Sequence, residues 1–489
     1  MGIATAVCLA VSGGAGAADD APSQRLFDEW FEITIEGHKV GSVHQAAYLV
    51  RFEGAEAIRS LTELKTTFLR DGIPLESTST TETVSRKDDL APIGFNMVAV
   101  DGQQKRSSAG RVLEGRAFHF ETKLGGKVTE KEAILAEGTL FSSSIENLVR
   151  RNMRDGWSWG GNVIMESDVD IAKAEVTMAA GRGKTACPCG PDAAGSGCAA
   201  AAFVSRSTVA GIESIDWRDA SGGPVCVSVP AMKGVFRRVG RDKALERFDP
   251  FDIFERSLMK PDRPIKGVRD LESVTLELVF DGAPADFPED ERQKVVARNA
   301  RSVTLKLRRV PEKPSVKRPV QGGEHARFLK PTEYEQSDAP EIALKAKELT
   351  WTIDDALDAA KAVHAFAHGR IARPGMGKGY LSAVEVLKEG EGDCTEYSVL
   401  ASALAKAAGL PTRLVTGAVY VDGVFGFHAW LEIFVGYWQP FDPTLDEISI
   451  NPTHIKLWTG VGEPGALRDA AVAVLRLFTG VKIRVVETK

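Results

Sequence analysis

The stretch Gly392-Asp393-Cys394-Thr395-Glu396-Tyr397-Ser398 sets the local structure of the C-terminal part of the chain, and an apolar run follows it. Glycines precede this stretch, and glycine is costly inside a helix, so a helix is not expected to begin earlier. Asp393 is a residue type favoured at a helix N-cap. Beyond it, apolar residues recur at helical spacing until Gly409 and Pro411, which form a helix stop signal. The pattern therefore predicts a helix with Cys394 in its first turn.

The first turn of a helix is a favourable place for a nucleophilic thiol. Unpaired backbone N–H groups and the positive end of the helix dipole favour an anion there. Only the thiolate is a good nucleophile, so we expect the pKa of Cys394 to be lowered. The same N–H groups can bind the oxyanion of a tetrahedral intermediate. Taken alone, however, a single Cys in an apolar helix is more often a small core residue, so the interpretation depends on its partners.

Two strands that follow the helix supply a His and an Asp. Residues 428–434 and 437–442 form a predicted hairpin around Gly436. With a three-residue loop, residue 433 pairs with residue 437 and His428 lies opposite Asp442, with Cβ atoms about 5 Å apart on one face. Asp442 then accepts the imidazole N–H of His428 and fixes its tautomer. A two-residue loop would instead place the two side chains on opposite faces.

This segment resembles the core of the transglutaminase-like superfamily over residues 381–457. Five motifs carry the resemblance through their order and spacing: 382–387, 392–397, 409–413, 428–432 and 441–444. It implies an α+β fold, with a papain-like transglutaminase core at the C-terminus preceded by a β-rich N-terminal region, as in bacterial envelope members. It also implies Cys394 as nucleophile, His428 as general base and acid, and Asp442 as the residue that orients His428. The Trp that helps form the oxyanion hole in eukaryotic transglutaminases has no clear equivalent upstream of Cys394.

The predicted chemistry is thiol-dependent acyl transfer on a peptide or carboxamide substrate. Attack by the thiolate leaves a thioester, which water or an amine then resolves. Water as acceptor makes the protein a cysteine peptidase or amidase, which is the function we expect. One alternative is a protein-glutamine γ-glutamyltransferase, in which an amine is the acceptor. The other is a non-catalytic envelope module that uses the same groove for binding.

Other side chains near the predicted triad suggest two further possibilities. Asn451 could replace Asp442 as the partner of the catalytic His, because papain-like enzymes use Asn, but it lies outside the predicted hairpin. His364 and His368 are four residues apart on a predicted helix, which is a spacing compatible with metal binding. No acidic partner is evident for them, so a solvated helix face is the preferred interpretation. No EF-hand pattern is present, and the triad needs neither a metal nor another cofactor.

Length and composition indicate a multidomain globular protein. The 489 residues are enough for roughly two to four domains. A net charge of −6 is small for this length, so we expect no nucleic-acid binding. Alternating residues between 26 and 230 favour a β-sandwich or meander, and the sequence does not fix an oligomeric state. The predicted domains are a signal peptide (1–19), a β-rich N-terminal domain (24–247), a connector with a small β unit (248–332) and a transglutaminase-like catalytic domain (333–489).

The first 19 residues are apolar and rich in small side chains, with an Ala-x-Ala motif at residues 15–17. This pattern is typical of a secretory signal peptide, although its start lacks Lys and Arg. A lipid anchor through Cys8 and an unstructured Ala/Gly tail are the alternatives. No later stretch has about 18 uninterrupted apolar residues, so no membrane span is expected. We therefore expect a periplasmic or secreted protein that acts on a protein or peptide substrate.

The cysteine count fits an oxidising compartment. Of six cysteines, five follow the predicted leader: Cys187, Cys189, Cys198, Cys226 and Cys394. The first four can form two disulfides and leave Cys394 free, as a nucleophile requires. The pairing cannot be read from the sequence, although a bridge between Cys187 and Cys189 is sterically poor. A zinc site that includes Cys226 is the alternative, but Cys-x-Cys lacks the common Cys-x₂-Cys spacing.

Overall fold

The structure is a computed structural model. It describes residues 24–70, 72–180, 187–189, 198, 201–250, 252, 258–282, 284–320, 323–375, 380–462, 470, 477 and 481–489. The predicted signal peptide lies outside the described residues. Two compact units are present, one built from the described parts of 1–68, 76–101 and 105–251, the other from those of 69–75, 102–104 and 252–489. Within the described part of the chain, every helix is too short or too polar to cross a membrane.

The first unit is dominated by long strands. They are β1 (Gln24–Ile35), β2 (His38–Phe52), β3 (Ala55–Arg70), β4 (Ile73–Arg86), β5 (Pro92–Asp101), β6 (Gln104–Val112), β7 (Ala117–Leu124), β8 (Lys127–Ile134), β9 (Leu140–Phe141), β10 (Ser158–Met165), β11 (Asp170–Ala180), β12 (Phe203–Val209), β13 (Ile212–Arg218), β14 (Pro224–Val229) and β15 (Gly234–Val239). Two short helices accompany them, α1 (Ile145–Arg151) and α2 (Arg241–Ala244).

These strands form one sheet whose order follows the chain in two runs. Among the described residues it has 15 strands, in the order β8 to β1, then β15 down to β9. Sequential strands are therefore neighbours, which confirms the predicted meander, and β1 joins the two runs by pairing antiparallel with β15. Phe95, Phe118 and Phe120 from one run pack in a common core with Phe141 and Ile164 from the other. The sheet thus folds over on itself around an apolar interior.

Two disulfides lie beside strand β14 of this sheet. Cys187 is bonded to Cys198, and Cys189 to Cys226, which lies on β14. The four sulfur atoms lie close enough together to hold a metal ion, but their S–S bonds leave no thiolate to bind zinc. The prediction that these four cysteines form two disulfides is confirmed, and Cys394 is the free cysteine among the described residues.

The second unit mixes helices and strands. Its strands are β16 (Ser273–Phe280), β17 (Gln293–Arg298), β18 (Ser302–Arg308), β19 (Arg373–Pro374), β20 (Glu391–Gly392), β21 (Thr412–Val421), β22 (Val424–Phe434), β23 (Trp438–Asp442), β24 (Glu447–Ile448), β25 (Ile455–Gly460) and β26 (Val481–Thr488). Its helices are α3 (Pro340–Thr350), α4 (Ala356–Arg370), α5 (Ala383–Glu389) and α6 (Cys394–Ala407).

Two antiparallel sheets share a core in this unit. In the described residues the smaller sheet has the order β17-β18-β16-β26 and the larger one the order β24-β23-β22-β21-β25. Leu276 and Leu305 of the small sheet pack in one cluster with Phe425 and Ile455 of the large sheet. The small β unit predicted from the sequence is therefore completed by β26, a strand from near the C-terminus. It folds together with the large sheet in one compact unit.

Helix α6 lies at the centre of the second hydrophobic cluster. Leu400 and Leu404 of α6 are fully buried, as are Ala360 and Val363 of α4, and they share a core with Leu431 of β22. A helix that packs against helices on one side and a sheet on the other must be apolar around most of its circumference. The long apolar run after Cys394 meets this requirement and fixes the start of the helix against the sheet.

Peptide mapping of the non-reduced protein tests the disulfide pattern. After denaturation without reductant, iodoacetamide should modify Cys394 and leave Cys187, Cys189, Cys198 and Cys226 unmodified, with the Cys187–Cys198 and Cys189–Cys226 peptides recovered as linked pairs. The same digest after reduction is the control, in which all five become labelled. Labelling of the four before reduction would contradict the pairing.

Candidate functional site

The predicted helix start is found at Cys394. Asp393 is the N-cap residue, and its carboxylate accepts a hydrogen bond of 2.9 Å from the N–H of Thr395. Glu396 reaches back to accept the N–H of Asp393 at 2.9 Å, which completes a capping box. At the other end Gly409 has a φ of +79°, which suits a residue just past the end of a helix. The sequence therefore specified both ends of α6, and with them the position of the thiol.

The hairpin that carries the His and the Asp has a shifted register. We expected residue 433 opposite residue 437, but Ile433 pairs with Gln439 and Phe434 with Trp438. The loop does contain three residues, 435–437, and Gly436 has a φ of +104°, but the loop begins one residue later than expected. The predicted direct opposition of His428 and Asp442 is therefore wrong by two positions. Because side chains alternate between faces, a shift of two keeps both on one face as diagonal neighbours.

The structure brings the three predicted residues together. His428 lies 2.7 Å through Nε2 from Oδ2 of Asp442. The imidazole also lies close enough to the thiol of Cys394 for each group to shift the pKa of the other. Since Nε2 is engaged by the carboxylate, Nδ1 is the nitrogen available to the sulfur. The exposed fractions fall from 8% for Cys394 to 5% for His428 and 0% for Asp442, so the sulfur is the most accessible of the three.

Burial and charge act in opposite directions on these groups. Burial disfavours a charged His428, but Asp442 and Cys394 outweigh it and raise the pKa of His428 to about 10. Burial likewise disfavours ionised Asp442, yet His428 and then His454 hold the pKa of its carboxyl well below the usual range. The site therefore favours an imidazolium paired with a carboxylate.

The thiol itself does not have the lowered pKa that we expected from its position. Burial, followed by the charge of Asp393, raises the pKa of Cys394, and the nearby His428 lowers it only in part. Burial arises from the packing of distant segments, so the helix position alone could not reveal it. The cation that favours a thiolate at this site is therefore His428, and not the helix terminus alone.

His454 is a fourth member of the cluster, and the motifs in the sequence did not indicate it. Its Nε2 lies 3.1 Å from Oδ2 of Asp442, and its side chain is fully buried. The other carboxylate oxygen of Asp442, Oδ1, accepts the N–H groups of Thr444 and Leu445 at 2.9 and 3.1 Å. A His immediately before strand β25 was the available signal, because a buried His needs a polar partner.

The pair His364 and His368 holds the loop that follows Asp442. Nε2 of His364 lies 3.2 Å from Asp446, and Nδ1 of His368 lies 2.8 Å from the carbonyl oxygen of Pro443. The exposed fraction of the His364 side chain is 2%, so the expected solvated helix face is wrong. This face of α4 packs against the loop and the ring of Phe441, whose centroid is 5.8 Å from that of His364.

Asn451 does not replace Asp442 as the partner of His428. Its amide nitrogen donates to both oxygens of Glu447 at 3.0 and 2.9 Å, and its side-chain oxygen accepts from Thr453. The Nε2 atom of His428 is instead engaged by Asp442. Asn451 therefore braces the segment before β25.

A metal ion would find three candidate ligands in this cluster. The nearest ligand atoms of His428, Asp442 and His454 lie within 4.8 Å of one another. Both imidazole rings already contact the same oxygen of Asp442, and the carboxylate carries the charge complementary to a protonated ring. Hydrogen bonding accounts for this geometry without a metal, and we assign no ion to it.

Comparison with known proteins agrees with the resemblance read from the sequence. Residues 344–443 match the family model of the transglutaminase-like superfamily. The C-terminal part of this chain is thus a transglutaminase-like domain, preceded by a β-rich N-terminal region. A comparison with curated protein sequences gives no match.

Solved structures give partial likenesses. A "Putative Cysteine Protease" from Cytophaga hutchinsonii is 19% identical, with a TM-score of 0.29 over 45% of this chain and 86% of that chain. A β-barrel-like DUF1849 protein from Brucella abortus is 12% identical, with a TM-score of 0.30 over 43% and 93%. The periplasmic domain of TgpA from Pseudomonas aeruginosa, bound to ethylmercury, is 14% identical, with a TM-score of 0.27 over 41% and 94%. Because these values are low, function is inferred below from the site itself.

Replacing Asp442 with Asn tests the electrostatics of the pair. The neutral amide removes the charge that raises the pKa of His428, so the imidazolium and the thiolate beside it become less populated near neutral pH. In the Asp442→Asn variant we expect iodoacetamide to modify Cys394 at least about tenfold more slowly than in wild type at pH 7, since one pKa unit is a factor of ten. Intact-protein mass spectrometry over time measures this rate.

The matched control for that experiment is Asp446→Asn, the same change four residues later in the same loop. The Asp446 side chain is 62% exposed and pairs with His364, so its replacement should leave the modification rate within about twofold of wild type. Equal rates for the Asp442→Asn variant and the wild type, with both proteins folded by circular dichroism, would contradict the role given to the carboxylate.

Proposed function

We propose that the second unit is a thiol-dependent acyl-transfer enzyme. Cys394 is the nucleophile, His428 the general base and acid, and Asp442 the residue that orients His428. Hydrolysis of a peptide or carboxamide bond is the proposed outcome. The observation that carries this proposal is the His428 ring, which lies 2.7 Å from the buried carboxylate of Asp442 and near enough to the Cys394 thiol for the two groups to shift each other's pKa.

Acylation follows from this arrangement. His428 takes the thiol proton on Nδ1, and the sulfur of Cys394 attacks the carbonyl carbon of the substrate to form a tetrahedral intermediate. The oxyanion lies near the start of α6, where backbone N–H groups and the helix dipole favour negative charge. The C–N bond then breaks, and His428 returns its proton to the departing amine or ammonia. A thioester between Cys394 and the acyl group remains.

Deacylation uses the same residues in reverse. His428, now neutral, removes a proton from water, and the resulting hydroxide attacks the thioester carbon. The C–S bond breaks, the carboxylic acid leaves, and Cys394 regains its proton from His428. Asp442 remains ionised throughout, because its buried carboxylate is held by hydrogen bonds on both oxygens. It stabilises the imidazolium each time that His428 holds two protons.

The hydrogen-bonded and fully buried Asp442 carboxylate supports an enzyme over the non-catalytic binding module. A groove that only binds peptide has no need of a buried carboxylate, since an ionised group is costly to bury unless it is fully paired. Here Asp442 is fully buried and carries hydrogen bonds from side chains and backbone. The buried carboxylate thereby holds the imidazole of His428 next to the thiol of Cys394.

We further propose that the protein works outside the cytoplasm, after removal of residues 1–19 as a signal peptide. The supporting observation is the pair of disulfides in the first unit, because such bonds form and persist in oxidising compartments. In this proposal residues 24–247 position a protein substrate or partner. Residues 248–332 comprise a connector and the small β unit, and residues 333–489 form the catalytic domain.

Mass spectrometry of a glutamine-containing peptide library tests the function. Wild type should give cleaved or deamidated peptides, and Cys394→Ala should lower their rate of formation by about a thousandfold or more, since the nucleophile is lost. Parallel reactions with a primary amine separate the two acceptors. Amine adducts that depend on Cys394 would establish a transglutaminase and overturn the hydrolytic assignment.

The control for general effects of substitution is a pair of His variants. The single variant His428→Asn should lose activity, as Cys394→Ala does. The single variant His119→Asn, on strand β7 of the first unit, should retain it. Absence of any Cys394-dependent product from peptides and small carboxamides, with the protein folded, would contradict the proposed function and favour the binding module.

A further inference from the structure

We propose that His454 is a positioning residue of this site, and that it holds the Asp442 carboxylate in the orientation that His428 needs. The inference deepens the proposed function and rests on it, because it gives His454 a role only where Asp442 serves His428. It adds a fourth side chain to the Cys394, His428 and Asp442 set.

The first step is the hydrogen bonding of the carboxylate. Oδ2 of Asp442 lies 2.7 Å from Nε2 of His428 and 3.1 Å from Nε2 of His454. Its Oδ1 receives the N–H groups of Thr444 and Leu445. With donors on both oxygens the carboxylate cannot rotate without breaking bonds in a fully buried place. Loss of the His454 donor would leave Oδ2 held by His428 alone, the one partner that must change its protonation state during the reaction.

The second step is the anchoring of His454 itself. Its Nδ1 lies 3.1 Å from the backbone oxygen of Asn451. Arg292, which is 3% exposed, donates Nη2 to this same oxygen at 2.9 Å and Nη1 to the backbone oxygen of His454 at 2.6 Å. Glu447 in turn accepts the backbone and side-chain N–H groups of Asn451. The guanidinium therefore clamps the backbone that carries the ring, so that the ring is presented to Asp442 in a fixed position.

The third step concerns protons. Both ring nitrogens of His454 face oxygen atoms, and a neutral imidazole has a single N–H. Burial lowers the pKa of His454; Asp442 raises it, and Arg292 and His428 lower it further. These are the charged groups that face the ring, beside the uncharged indole of Trp430. The neutral ring can therefore donate its single N–H either to the Asn451 carbonyl or to Asp442. In our proposal the proton is on Nε2 and Asp442 is the acceptor.

Two conservative variants separate the two acceptors. The amide nitrogen of Gln can reach the place of Nε2, and the shorter Asn places its amide near Nδ1. His454→Gln therefore keeps a donor for Asp442, whereas His454→Asn keeps one for the Asn451 carbonyl. His454→Phe keeps the ring volume and neither donor. A ring needed only for packing and local structure would tolerate Asn or Phe at least as well as Gln.

The experiment measures kcat and KM on a peptide substrate and the iodoacetamide rate of Cys394 from about pH 5 to pH 10. We expect His454→Gln to keep kcat within about threefold of wild type. The Asn and Phe variants should lose about tenfold to a hundredfold, as removal of an outer partner of a site commonly does. KM should change little, because His454 does not touch substrate. The pH profile of Cys394 modification should shift in the Asn and Phe variants and stay in place in the Gln variant.

A double-mutant comparison shows whether His454 acts through Asp442. In an Asp442→Ala background the three His454 variants should all react like Asp442→Ala alone, since the carboxylate to be held is gone. A further loss in His454→Phe on that background would overturn the proposal. The proposal would also be overturned if His454→Asn kept its activity while His454→Gln lost it.

Failure of this inference can be distinguished from failure of the proposed function. The modification rate of Cys394 needs no substrate, so it reports on His454 even if no peptide is turned over. If peptide is turned over, and neither the rates nor the pH profile of Cys394 modification changes in His454→Phe, the inference is overturned and the proposed function stands. If the His454 variants do not fold, Arg292→Lys weakens the same clamp. It should lower the modification rate in wild type and have no effect in Asp442→Ala, and equal effects in both would overturn the proposal.

Discussion

The hydrogen bond between Nε2 of His428 and Oδ2 of Asp442 governs how the second unit is built. It pairs a fully buried carboxylate with an imidazole that is 5% exposed, and a buried charge is tolerated only when its hydrogen bonds are complete. The bonds come from strand β22, from the turn after β23 and from the start of β25. Three separate segments must therefore meet at one carboxylate, and this requirement fixes how they are placed relative to one another.

Much of this arrangement was predictable where the signal is local. The capping residue Asp393, the apolar period and Gly409 specified helix α6 at both ends, and the five motifs together indicated the domain. The hairpin register was wrong by two residues, because a three-residue loop can begin at either of two positions. His428 and Asp442 still share a face despite this error, since side chains repeat every second residue along a strand. A register shift by an even number of residues leaves His428 and Asp442 on the same face, even though the exact pairing differs.

What was missed arises from contacts between distant parts of the chain. Arg292 reaches the backbone of His454 across 162 residues, and no local pattern marks either residue as part of a site. The raised pKa of Cys394 likewise depends on burial, which only tertiary packing determines. In the first unit, single strands were recognisable from alternation. The order of the 15-stranded sheet was not, because it depends on β1 pairing with β15, with Ile35 opposite Gly234.

Strand β26 links this architecture to the timing of protein synthesis. It pairs with β16, so that Phe280 lies opposite Val481, and the two strands are separated by the entire helical layer and the large sheet. Cys394, His428 and Asp442 all precede β26 in the chain, so they are synthesised before the strand that completes the small sheet. Until then β16 has an open edge, and the core that Leu276 shares with Ile455 is incomplete. The second unit therefore completes this core only when β26 joins the small sheet, after the segments that carry the candidate site have been made.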